Sequence, residues 1–328
     1  MRRAADRTAS PDDDRRMIPR AYVLGRVGAD LYPQQLNTPL EEVRTFERFV
    51  GGFAGNVATG LARLGIPTAI VSAVGDDGHG RFVRSFLESE GVDTTALGVH
   101  PTLRTALAFC EAWPPDRFPI TFYRTPTCPD WELTPKDIPP AMSRAWLAYA
   151  SGTGLAREPS RAATLSALER RASGTTIFDL DWRETLWTDA KEYAPLVRRA
   201  AKHATVLLGG ASEFAAAGLE PRAALALGPE LVVVKRGGEG ATVIDRDGER
   251  HVARVAVPVV NGLGAGDAFA AAFGAALIEG LDAGAAAARG NAAGAIVAAR
   301  LACSTAMPTG AEIDRVLAGS RVVDGRVA

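Results

Sequence analysis

A chain of 328 residues with 47% hydrophobic and 23% charged residues has the proportions of a globular protein rather than a disordered one. Lys+Arg 37 against Asp+Glu 38 leaves a formal net charge of −1, so no overall basic field points to nucleic acid or an anionic membrane. Three widely spaced cysteines (Cys110, Cys128, Cys303) exclude a disulfide scaffold and suit a cytoplasmic protein, and four histidines, none at i, i+4 spacing, argue against a zinc enzyme.

Residues 1–19 are charged, contain no apolar run, and are expected to form a disordered, solvated tail rather than a signal peptide or anchor. Ala21–Val27 (AYVLGRV) reads as the first strand. Residues 29–50 carry two prolines and suit an excursion of short strands. A helix over Gly55–Leu64, a strand over Thr68–Val74 and a helix over Gly80–Glu90 follow. In residues 102–124, LRTALAFCEAW and FPITFYR alternate on either side of PPDR, the signal of a looped hairpin. Further strands are predicted at Ala145–Ala150, Thr176–Leu180, Ala204–Leu208, Leu231–Lys235 and Ala241–Asp245. Strands separated by helical stretches predict an α/β fold with a mainly parallel central sheet covered on both faces. The Ala- and Gly-rich runs 268–278 and 283–302 are interrupted before 18 strongly apolar residues accumulate, so they read as buried helices and not as membrane spans. The expected organisation is one domain over 20–318, a small β-rich appendage from 29–50 and 102–124, and a tail at 319–328.

Chemistry concentrates in Val259–Phe273, VVNGLGAGDAFAAAF. Glycines 262, 264 and 266 let successive N–H groups face one concavity, and the helix that follows adds positive potential there. Asp267 at the helix start could accept a proton from an attacking hydroxyl; taken alone, the segment fits a tight turn with Asp267 as its cap equally well. No Lys-Ser/Thr follows, which excludes a Walker A loop. Gly51-Gly52 precedes a helix whose first turn holds Asn56, an arrangement open to a polyhydroxylated ligand or to a plain helix start. Asp30 reads as a hydroxyl acceptor or a solvated loop acid.

Together these two segments, in this order and at this separation, resemble the two signature regions of the ribokinase-like (PfkB) carbohydrate kinase family over residues 20–315. The resemblance implies a Rossmann-like three-layer sandwich with a β-sheet lid, ATP and Mg²⁺ as cofactors, and transfer of phosphate to a sugar hydroxyl. It implies that Asp267 is the catalytic base, that Gly264, Ala265 and Gly266 form the anion hole with it, and that Asp30, Gly51, Gly52 and Asn56 bind the sugar. It also implies a homodimer joined through the lid. GRVGADLYPQQ, LRTALAFCEAWPP, FYRTPTCPD, FDLDWRETLW and NAAGAIVAARLACSTAMPT resemble one branch of the family, the 5-dehydro-2-deoxygluconokinases, with the 2-keto-3-deoxygluconate kinases as the neighbouring alternative. Outside enzymes, the alternative is a sugar-acid-binding regulatory protein.

An acid sugar needs cationic partners, and Arg offers a planar bidentate fork. By resemblance to the keto-acid kinases, Arg124 and Arg183 contact the carboxylate or keto-acid group, with Arg104 third; any one of them alone could be a surface ion pair of under about 1 kcal/mol. On the nucleotide side, VVVKRGGEGA places Lys235, Gly237 and Gly240 after a strand, and Asn291 opens NAAGA; both segments resemble the family's nucleotide pocket. Glu213 matches the glutamate of the family's N-x-x-E motif, which organises Mg²⁺ through water. The asparagine position is Gly210, which weakens that role. Asn261-Gly262 replaces the family's Asp-Thr, so the monovalent-cation site is not carried over and cation dependence stays open.

Overall fold

The structure is a computed structural model that describes residues 20–319, 321–323 and 325–327; the expected tail at 1–19 lies outside them. In chain order the strands and α-helices begin with β1 (Ala21–Leu24), β2 (Gly28–Pro33), β3 (Phe46–Gly51), α1 (Phe53–Arg63), β4 (Thr68–Gly75) and α2 (Gly78–Ser89). They continue with β5 (Leu97–His100), β6 (Leu107–Cys110), β7 (Ile120–Tyr123), β8 (Leu147–Ser151), α3 (Ser160–Glu169), β9 (Thr175–Asp179), α4 (Tyr193–Ala201) and β10 (Val206–Gly210). The last are α5 (Ala211–Ala216), β11 (Leu231–Lys235), β12 (Ala241–Ile244), β13 (Glu249–Val252), α6 (Ala265–Ile278), α7 (Ala283–Ala298), α8 (Gly310–Leu317), β14 (Val322–Val323) and β15 (Arg326–Val327).

The central strands are short and apolar because both of their faces are covered. They form a nine-stranded sheet in the order β13-β12-β11-β10-β9-β8-β1-β4-β5. Neighbours from β11 through β5 run parallel, and only β12 runs antiparallel to its two neighbours. Alternate side chains go to opposite layers. Tyr149, Ile177, Val206 and Leu208 pack with α1, α2 and α6 on one face. Ala150, Phe178 and Leu207 pack with α3 and α4 on the other. This is the α/β sandwich expected. The Tyr149 hydroxyl donates to the Ala270 carbonyl at 2.6 Å and occupies the space a Cβ at Gly274 would need, so α6 is fixed against the sheet.

A second sheet, order β3-β2-β6-β7, assembles the two early excursions into one four-stranded lid. The predicted strand Ala21–Val27 divides: β1 ends at Leu24, and from Gly28 the chain already belongs to the lid. Two sheet-edge strands escaped the sequence reading. Glu249–Val252 (ERHV) is polar and mostly exposed, and Leu97–His100 is only four residues long. Beyond residue 318, where a tail was expected, Val322–Val323 pairs with Arg326–Val327 and Val322 is buried against the apolar cluster that includes α8. Among the described residues no helix is long and apolar enough to cross a membrane.

Candidate active site

The start of α6 separates two cavities. Gly264 precedes the helix at φ +82°, a left-handed conformation, and a Cβ there would lie 3.0 Å from the Cys303 side chain. The first N–H groups of a helix have no intrahelical acceptor, so those of Ala265, Gly266 and Asp267 are available to an anion at the positive end of a 14-residue helix. Asp267 Oδ2 accepts a 2.7 Å hydrogen bond from Asn56 Nδ2, which α1 brings across from 211 residues away. Burial pushes the Asp267 carboxyl above the ordinary range and the Asp181 charge adds to that; the Asn56 bond, Lys235 and Arg183 pull it back.

The lid side of this helix start is a cavity lined by Asn56, Asp267, Asp30, Arg26, Arg183 and Phe122, among others. Asp30 lies on β2 opposite the end of β3, directly over Gly51, where a Cβ would come within 1.9 Å of its carboxylate. Gly52 at φ +84° turns the chain into α1, and the Arg26 carbonyl, which would be 2.6 Å from a Cβ there, accepts the Ala54 N–H. Burial raises the Asp30 pKa to about 7; Arg26 lowers it, Asp267 raises it and Arg124 lowers it.

Of the three arginines expected at the substrate, only Arg183 lines the cavity. It makes ion pairs with Asp181 at 3.3 Å and Glu213 at 3.7 Å. Arg124 is buried behind the cavity lining, paired with Asp130 and stacked 4.4 Å over the Trp131 ring, its charge still acting on Asp30. Its nearest carboxylate, only six residues along the chain, has captured the fork. Arg104 lies exposed on the loop before β6, outside the cavity. Arg183 is thus the one of the three that the structure brings to the cavity lining, while Arg124 and Arg104 stand outside it.

The other cavity, of 450 Å³, brings together Lys235, Gly237, Gly240 and Asn291 with Ala265 and Gly266. Val255, Val257 and Ala295 supply an apolar wall. Gly290 and Gly294, four residues apart on α7, leave room for the Phe269 ring and the Ala265 carbonyl, so α7 lies close against the base of α6. Asn291 Nδ2 donates to the carbonyls of Val252 and Ala253 at 3.0 and 2.9 Å. Lys235 Nζ sits 2.8 Å from Asp179 Oδ2, and a Cβ at Gly266 would lie 3.4 Å from the same ammonium. Burial pushes Asp179 up while Lys235 pulls it down; burial opposes the Lys235 charge, but Asp179 and Glu213 hold its pKa above the ordinary value.

Glu213 accepts from the N–H of Gly210 at 2.6 Å and of Trp182 at 3.0 Å, so one oxygen holds the start of α5 and the other the loop after β9. Gly210 itself lines the larger cavity. Among the described residues no group of three His, Cys, Asp or Glu is arranged to hold a metal directly. The Asn261 amide is spent on its own surroundings, accepting from Leu263 N–H and donating to the Leu301 carbonyl.

Sequence reasoning missed Arg26, Tyr32, Phe122 and Cys303, all of which line the lid-side cavity. Arg26 and Tyr32 stand within GRVGADLYP, and Tyr32 shares the face of Asp30 two residues earlier, a signal that was available. Cys303 carries no such signal; its Sγ meets the Tyr32 hydroxyl at 2.5 Å across 271 residues.

The model of the pfkB family carbohydrate kinases matches residues 19–310. The chain is 33% identical over 308 residues to a 5-dehydro-2-deoxygluconokinase of Bacillus licheniformis, covering 90% of this chain and 94% of that protein. It is 36% identical over 303 residues to the enzyme of the same name from Shouchella clausii, covering 88% and 93%. Aminoimidazole riboside kinase from Salmonella enterica, solved with aminoimidazole riboside and an ATP analogue, superposes with a TM-score of 0.79 at 28% identity, covering 91% of this chain and 99% of that one. Fructokinase from Vibrio cholerae, solved with fructose, ADP and a calcium ion, gives 0.82 at 27% identity, covering 91% and 98%. With an acid at a helix start between two cavities, and a family match over nearly its whole length, the chain belongs to the pfkB family of carbohydrate kinases.

Proposed function

We propose that this kinase transfers the γ-phosphoryl group of ATP to the C6 hydroxyl of 5-dehydro-2-deoxy-D-gluconate, an open-chain keto acid. The observation that carries the chemistry is Asp267, which stands where the two cavities meet and is held by Asn56 at 2.7 Å. Its raised pKa makes it a stronger base than an ordinary carboxylate, suited to taking the proton from the attacking hydroxyl. The N–H groups of Ala265 and Gly266 and the Lys235 ammonium face the other side, where the transferred charge develops. Relatives at 33–36% identity bearing that enzyme name support the substrate.

Asp179, Asp181 and Glu213 are each already engaged by a cation or an N–H, so the donor set suits Mg²⁺ held through its water shell beside the phosphates. When bound with ATP, that ion neutralises charge on the transferring group. The reading includes a homodimer joined through the lid, supported by the edge-to-face stack of Phe46, Phe109 and Tyr123 on one lid face.

The test is ADP production with MgATP against 5-dehydro-2-deoxygluconate, 2-keto-3-deoxygluconate, ribose and fructose. The expected preference for the first is about 10²-fold or more in kcat/KM, roughly 3 kcal/mol of transition-state discrimination. Asp267→Asn should lower kcat at least about 10²-fold while nucleotide binding is kept. Near-wild-type turnover in that variant would remove the base; preference for another sugar would keep the kinase and discard the substrate. Silence with all four, from a folded protein that binds ATP, would return the binding-protein reading.

A further inference from the structure

We propose that Arg26 recognises the carboxylate end of an acid substrate, with Asp181 as its positioning residue, while Arg183 serves the phosphoryl-transfer end of the same cavity. This rests on the sugar-acid reading above and reassigns the substrate contacts within it. Arg26 is 8% exposed and lines the lid-side cavity with Asp30 and Arg183. Its Nε donates to Thr153 Oγ1 at 3.0 Å and its Nη2 to Asp181 at 3.2 Å. A guanidinium has five N–H groups, so the outer edge remains unspent. Nη1 has no protein partner among the described residues, yet it is not one of the atoms sealed from solvent without one. Phe122 of the lid stands 5.7 Å over the same guanidinium.

Asp181 is built for this task. It adopts φ +34°, unfavourable for a non-glycine residue, and is held there by Thr153 Oγ1 at 2.7 Å, Arg26 at 3.2 Å and Arg183 at 3.3 Å. One carboxylate thereby fixes two forks. The two differ in what else they face. Arg183 also pairs with Glu213 and its charge acts on Asp267, whereas the Arg26 charge acts on Asp30. A six-carbon chain whose terminal hydroxyl sits at Asp267 reaches along the same cavity, and Arg26 is part of its lining. A planar fork half-spent on an internal acid and open at its outer edge is the group that binds a carboxylate there.

The test compares 5-dehydro-2-deoxygluconate with its C1 amide, which differs only in lacking the charge. Arg26→Gln should lower kcat/KM for the acid at least about 10²-fold, chiefly through KM, and leave the amide within about threefold, with Arg26→Lys recovering part of the loss. Equal loss on acid and amide, or an unchanged acid, overturns the assignment. Because Arg26→Gln leaves Asp181 less compensated, Arg26→Gln with Asp181→Asn is measured in parallel, folding being checked by ATP-analogue affinity, and the same acid-to-amide ratio decides. A wild-type enzyme that prefers a neutral sugar sinks the substrate reading and this inference together; wild-type acid preference that survives Arg26→Gln sinks this inference alone.

Discussion

Asp30 illustrates how burial sets the charge of a single residue. Its carboxyl leaves water at the floor of the lid-side cavity, which raises its pKa from 3.8 to about 7 against the pull of Arg26 and Arg124 and with the push of Asp267. A folded-state pKa above the unfolded value means that the folded protein binds this proton more tightly. The stabilisation is fully present below about 3.8 and is lost as pH rises through about 7. Asp267 and Asp179 are raised as well and tilt the same window in the same direction. Subtraction therefore isolates Asp30: the Tm of Asp30→Asn should decline less between pH 4 and pH 8 than that of the parent, the two curves diverging as pH approaches about 7. Parallel curves would mean that Asp30 is solvated and ionised throughout.

At the scale of elements, the neighbouring glycines Gly51 and Gly52 do different work. Gly51 ends β3 with negative or extended φ, and what it spares is room: a Cβ would meet the end of the Asp30 side chain, which can swing aside. Gly52 sits at φ +84° with the rigid Arg26 carbonyl 2.6 Å from a Cβ position. Gly51→Ala should therefore raise KM for the sugar acid at least about tenfold with little loss of stability, whereas Gly52→Ala should cost about 1–3 kcal/mol in denaturant unfolding. Equal stability loss in the two variants would refute the distinction. The same contrast explains what was legible in the sequence. Gly264–Asp267 and Gly51–Asn56 are contiguous, so backbone chemistry and a helix start betray them. Arg26 and Cys303 are placed in the cavity lining beside partners 127 and 271 residues away, and Arg124 pairs with Asp130, a contact that neighbouring sequence permits but does not announce. The polar edge strand Glu249–Val252 was hidden for a related reason, since three of its four residues are exposed and leave no period-two apolar pattern to read.

At the scale of the whole molecule, one hairpin serves both cavities. Between β6 and β7, Pro115 lines the larger cavity and Phe118 lies against Gly262; Ile120 and Phe122 of β7 line the lid-side cavity. β6 in turn pairs with β2, which carries Asp30, and β2 with β3, which runs into Gly51 and α1. If the four-stranded sheet closes over a ligand on either side, both ligands gain contacts with it and the cost of ordering it is met once. By linkage, the two ligands must then strengthen each other by one common factor. Calorimetric titration of a non-hydrolysable ATP analogue should give a Kd at least about fivefold lower with saturating 5-dehydro-2-deoxygluconate than without it, and the reverse titration should return the same factor. A factor of one in both directions would show that the lid is already closed and fully ordered before either ligand arrives, leaving Pro115 and Phe122 as fixed walls. Truncating Phe122 to Ala separates these cases further, since it should diminish the coupling only if the hairpin carries it.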